Sequence, residues 1–134
     1  GNGTSTSSVS ELKVDLFLEN FNLNYNQLLE LLQLEWINPA DSLTVIERPI
    51  DSCAIADQVL KNNITGTKID RIHRFLRLWK HTDWELWELD LLIRNPKIGN
   101  EILDGNCLVQ LQKFHQLQEQ LKLSVEALIA FYEN

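Results

Sequence analysis

WELWELDLLI, residues 84–93, decides how the chain is read, because its pattern occurs twice more. Trp84, Leu86, Leu89, Leu92 and Ile93 are matched at equal offsets by Leu123, Val125, Leu128, Phe131 and Tyr132 in LSVEALIAFY, and again by Leu23, Tyr25, Leu28, Leu31 and Leu32 in LNYNQLLELL. An internal repeat sets architecture before any motif does. The later residues of each copy fall on one face of a helix, and a polar residue follows the apolar leader where an N-cap belongs: Asn24, Glu85 and Ser124. Asn24 with Gln27 has the form of a capping box, and Ser124 is a good N-cap with Glu126 in its first turn. Glu85 caps poorly, so Thr82 or Asp83 is the alternative start of that helix.

The segment before two of these copies also repeats: Ile69, Ile72, Phe75 and Leu78 are matched by Leu108, Leu111, Phe114 and Leu117. Steps of three keep such side chains on one slowly drifting stripe. Val14, Phe17 and Phe21 form a shorter version before the first copy. The unit is a long helix, a tight turn and a short helix, and one pair cannot bury its own apolar faces. Helical spacing runs through most of the sequence with no sustained period-two alternation, which makes the class all-α. Helices are predicted at about 10–20, 24–35, 54–61, 67–81, 84–94, 105–121 and 124–132. Residues 42–46, between Pro39 and Pro49, suit a short edge strand or an extended connector.

The expected organisation is a flexible tag or linker over 1–9, rich in Gly, Ser and Thr, and one helical domain over 10–134. That domain is an irregular helical bundle of three stacked helix-turn-helix units, with a connector at 36–53. A length of 134 residues fits one domain with a real core, and the formal charge of −7 opposes nucleic-acid binding. Cys53 and Cys107 are too few for a disulfide framework and have no zinc-site spacing; they are two buried thiols or one bridge. No apolar run approaches the roughly 20 residues that cross a bilayer, so no membrane insertion by this segment is expected, nor an export signal within it.

Two stretches are more specific than periodicity. FNLNYNQLLELL at 21–32, followed by Trp36-Ile37-Asn38-Pro39, resembles a segment of the A components of bacterial Tc insecticidal toxin complexes and the related Salmonella virulence plasmid A proteins. DRIHRFLRLWK at 70–80, then Trp84 and Glu88-Leu89-Asp90, resembles a second segment, and Cys53 lies between the two, as a cysteine often does in the family. The resemblance spans roughly residues 14–132 and is most specific from Arg71 to Trp79. It implies a helical portion of a very large subunit that forms a pentamer, with an outer shell around a translocation channel, secreted or held at the bacterial surface. The chain departs from the family pattern at His81-Thr82-Asp83, where a glycine commonly precedes the tryptophan, so no left-handed residue is obligatory there.

Candidate chemistry is sparse. His73, His81 and His115 have no i, i+4 metal spacing, and His73 and His115 lie beside the apolar stripe as structural histidines do. Lys68, Arg71, Arg74, Arg77 and Lys80 recur every third residue, but that step lags the helical turn by about 60°, so the charges wind around the helix instead of forming one patch. Asp70 is placed to pair with Arg74. Among Trp36, Trp79, Trp84 and Trp87, Trp84 occupies a repeat position and reads as core, whereas the equivalents of Trp87 are Asn26 and Glu126, so Trp87 should face outward, either marking a surface covered by the parent protein or simply partly exposed. Asn63-Ile64-Thr65 is a chance sequon; Asp41, Asp51 and Asp57 lack calcium-loop spacing; Glu85 and Glu88 form a solvated acidic face.

The expectation is therefore a non-catalytic, cofactor-free and metal-free structural domain of a toxin-complex A subunit. Its partners would be other domains of that subunit, with Trp87, Arg71, Arg74 and Arg77 as interface candidates and no nucleic acid. The rival reading is a helical module that binds a host ligand or glycan through the basic helix and Trp87.

Overall fold

The computed structural model describes residues 9–39, 44–47, 54–55 and 58–133, and the chain divides into two compact units, residues 1–83 and 84–134. In the first, strand β1 (Val9–Lys13) runs directly into helix α1 (Val14–Phe21), followed by α2 (Tyr25–Leu31), β2 (Thr44–Glu47), β3 (Gln58–Ile64) and α3 (Gly66–Trp79). The second holds α4 (Leu86–Arg94), α5 (Gly105–Leu121) and α6 (Val125–Ile129), which closes in a 3₁₀ turn at Ala130–Tyr132. The described chain is mostly helical, as expected, and no described helix is long and apolar enough to cross a membrane.

The sheet is the main departure from expectation. Among the described residues it is three-stranded and antiparallel with order β1-β3-β2, pairing Leu12 with Leu60 and Lys13 with Val59 on one side, and Val45 with Leu60 and Glu47 with Gln58 on the other. The helix expected at 54–61 is thus a strand from Gln58, and the helix expected from residue 10 begins only at Val14. Gln58, Val59 and Leu60 are buried in succession, as befits a central strand, so β3 shows no period-two alternation to distinguish it from a helical segment. The extended alternative for 42–46 agrees with β2, which starts at Thr44. Residues 1–8, most of the connector, Cys53, Asp41, Asp51 and Asp57 lie outside the described residues.

The helix starts follow the expected caps. Asn24 and Gln27 complete a capping box, each backbone N–H donating to the other's side chain, at 2.9 and 2.8 Å. Ser124 Oγ accepts from Ala127 N–H at 3.1 Å. Glu85 is the N-cap of α4: its N–H donates to Glu88 at 2.9 Å, while the Thr82 hydroxyl donates to the Trp79 carbonyl at 2.8 Å. Thr65 and Asp104 cap α3 and α5 by accepting from Lys68 and Cys107. At the α1 end Asn22 is left-handed (φ 56°) and at the α5 end Lys122 is (φ 58°); each is followed by a leucine and then the next N-cap. No left-handed residue occurs between Lys80 and Trp84, which matches the missing glycine there.

Val14, Phe17, Phe21, Leu28 and Leu31 are buried in the first unit, with Ile72 and Phe75 from α3. In the second unit the core residues are Trp84, Leu86, Leu89, Leu92, Ile93, Leu111, Phe114, Val125 and Leu128. Two stripe positions differ from expectation. Leu108 is exposed because Cys107 takes the inward place at i, i+4, i+7 spacing with Leu111 and Phe114. Phe131 is 76% exposed because α6 gives way to a 3₁₀ turn, whose shorter three-residue period swings it off the apolar face. Beyond α4 the chain folds back on the helix end: Asn100 N–H donates to the Asn95 carbonyl and Glu101 N–H to the Ile93 carbonyl, both at 2.8 Å. Gly99 is required there, since a Cβ would lie 2.7 Å from Ile93 Cα.

Leu89 is fully buried and should lose about 2–5 kcal/mol of stability on replacement by alanine. Phe131→Ala should stay within about 0.5 kcal/mol. Urea denaturation of both variants checks the pair, and equal losses would contradict this placement of the core.

Candidate functional site

The interface candidates occupy different surroundings. Trp87, on the first turn of α4, is 41% exposed, facing outward as its repeat position demands. Arg71 is half-buried: its guanidinium donates to the Trp36 carbonyl oxygen at 2.7 Å and lies 4.3 Å from the centre of the Trp36 ring. The same indole packs 6.1 Å from Phe75. Arg71 is therefore a tie between the α2 exit and α3, combining a charged hydrogen bond with cation–π attraction. Arg74 and Arg77 are exposed. Arg77 lines a cavity with residues of α1, away from the Trp36 contact, so the structure does not gather Arg71, Arg74 and Arg77 into one patch.

A grouping that the every-third-residue series hides is the one the structure makes. His73, Arg77, Lys80 and His81 follow i, i+4, i+7, i+8 spacing, share one side of α3 and its exit, and meet Asn20 and Phe21 of α1. His73 stacks on Phe21 with ring centres 4.4 Å apart, and Lys80 Nζ donates to the Phe21 carbonyl at 3.3 Å. The helical spacing was available in the sequence; what it lacked was the partner helix that turns four residues into a cavity wall.

The remaining candidates serve packing. Trp84 stacks edge-on to Phe114 at 6.2 Å and donates its indole N–H to Gln118 at 2.7 Å; Gln118 donates in turn to the Leu123 carbonyl at 3.1 Å. That relay satisfies a buried polar edge and ties α4 to the α5–α6 turn. His115 lies beside Trp84, 3.9 Å from Glu119. Asp90 is buried and accepts from Arg94 at 2.9 Å. Among the described residues no group of three His, Cys, Asp or Glu could hold a metal ion. Cys107 is a free, buried thiol, and burial, helped by the neighbouring Asp104 carboxylate, pushes it from 9.0 up to about 11.

Comparison with family models, with curated proteins and with solved structures finds no match.

Arg71→Ala should cost about 1–2 kcal/mol in chemical denaturation, and Arg71→Lys should recover less than half of that, since an ammonium cannot both lie flat on the indole and fork to the carbonyl. Full recovery by lysine would reduce Arg71 to a generic charge. Cys107 gives a pH signature. Because its folded thiol keeps the proton to higher pH than the unfolded chain does, its contribution is complete below about pH 9 and falls as pH rises towards 11. Urea midpoints of the parent chain should therefore drop more steeply across that interval than those of Cys107→Ala; parallel curves would contradict the shift.

Proposed function

We propose that the chain is a non-catalytic packing and interaction module of a large bacterial toxin-complex A subunit. In this reading three helix-turn-helix units stack as an irregular helical bundle, and the module contributes scaffold to the helical shell of a secreted or surface-held pentameric assembly. The observation that carries it is the number of large apolar side chains exposed on residues 84–134: Trp87, Ile102, Leu108, Val109, Leu121 and Phe131. Single exposed apolar side chains are ordinary, but six on so small a unit support a reading in which neighbouring domains cover part of it.

Two further points support the reading. The stretches at 21–39 and 70–80 that carry the family resemblance touch through Arg71 and Trp36, so they would be retained together for packing. The turns after α1 and α5 share a left-handed residue, a leucine and an N-cap, as variants of one unit would.

Sequencing outward from both ends of the coding segment tests the proposal. The expected result is a reading frame of toxin-subunit size whose purified product forms five-fold particles by electron microscopy. In that product Trp87→Ser should weaken assembly while leaving thermal unfolding of the isolated chain unchanged. A free-standing reading frame that stops at Asn134 would overturn it.

A further inference from the structure

We propose that residues 1–83 carry a binding site for a linear alkyl carboxylate, with the anionic head held by Arg77 and its neighbours and the tail laid along the apolar space between the sheet, α1 and α3. Two cavities of about 380 and 420 Å³ share Asn20, Phe21 and His73 as a common wall, and each lies in the size range of small-ligand sites. Their linings differ in character. The first carries Arg77, Lys80, His73 and His81 and no carboxylate, in a chain whose formal charge is −7. Besides the shared wall, the second is lined by Leu12 of β1, Phe17 of α1, Ile64 of β3, Ile69 of α3, Thr65 and Gly66.

The ordinary explanation for such cations is compensation of helix ends, and Lys80 does serve the end of α1 through the Phe21 carbonyl. Arg77, in the last turn of α3, also offsets that helix's own end, but does so without engaging a carbonyl of any described residue through its guanidinium. Arg77 is exposed, no hydrogen bond or ion pair is seen for it among the described residues, and its planar fork matches a carboxylate bidentately. The Phe21–His73 stack, with ring centres 4.4 Å apart, borders both environments, so the two lie side by side along it. A ligand with an anionic head and an unbranched apolar tail meets both at once, whereas a short polar anion or a neutral alkane meets only one.

Isothermal titration of the whole chain with octanoate, decanoate and dodecanoate, each below its micelle concentration, tests the site. Affinity should rise with chain length, by up to about fourfold per added methylene. Acetate and dodecanol should bind at least about tenfold more weakly than dodecanoate, and Arg77→Gln should weaken dodecanoate by about tenfold. Ile69→Asp should abolish the chain-length dependence, and because that substitution risks the fold, Arg77→Gln, on an exposed side chain, is the deciding variant. Amide shifts on dodecanoate addition should centre on Asn20, Phe21 and His73. Equal binding of dodecanol, unchanged binding by Arg77→Gln, or capture only by anionic phosphatidylglycerol vesicles without binding of monomeric dodecanoate would each overturn the proposal.

Discussion

The shortness of its helices governs this chain. α2 has seven residues, α4 nine and α6 five, all below the roughly 12–15 at which an isolated helix holds in water. Such a segment is helical only where its first amides are satisfied from outside the ladder and its apolar face is covered by another element. The capping box at Asn24, the Glu85–Glu88 contact and the Ser124 cap meet the first need. The second is met in residues 84–134 by α5, whose Gln118 engages both the Trp84 indole and the carbonyl leading into α6. Capping and burial are thus coupled: a frayed start at Glu85 would also disturb the seating of the adjacent indole.

What was legible in the sequence follows from range. Caps, turns and apolar stripes are local, so the starts of α2 and α6, the burial of Phe17, Phe75 and Phe114, and the outward aspect of Trp87 could be read from spacing. The sheet could not, because β3 is defined by partners at Val9–Lys13 and Thr44–Glu47, and its own residues carry no alternation. Phe131 shows a subtler limit. A five-residue helix that tightens into a 3₁₀ turn changes period midway, and a pattern transferred from the longer α4 then points one side chain the wrong way.

Charge was legible as a sum and misleading as a series. Counting every third residue from Lys68 to Lys80 describes a winding stripe, and the structure divides that stripe by neighbour: Arg71 is committed to Trp36, Lys80 to the end of α1, and Arg77 stays open beside two histidines. The candidate surfaces therefore differ in kind. Trp87 and the exposed leucines are apolar side chains of residues 84–134, while the cationic wall belongs to α3 in residues 1–83. Their chemistry would select different partners.

The fold-back after α4 bears on how this sequence can drift. Asn100 and Glu101 both adopt positive φ (51° and 65°), a conformation that costs an ordinary residue roughly 1 kcal/mol or more, and they follow a glycine pressed against the Ile93 backbone. Three adjacent positions thus have opposite tolerances. Gly99 admits no side chain, whereas its two successors hold side chains where glycine would relieve strain. Close variants of this chain should be invariant at one of these positions and free to gain glycine at the next two, so this short turn can indicate shared ancestry more sharply than the interchangeable leucines of the core.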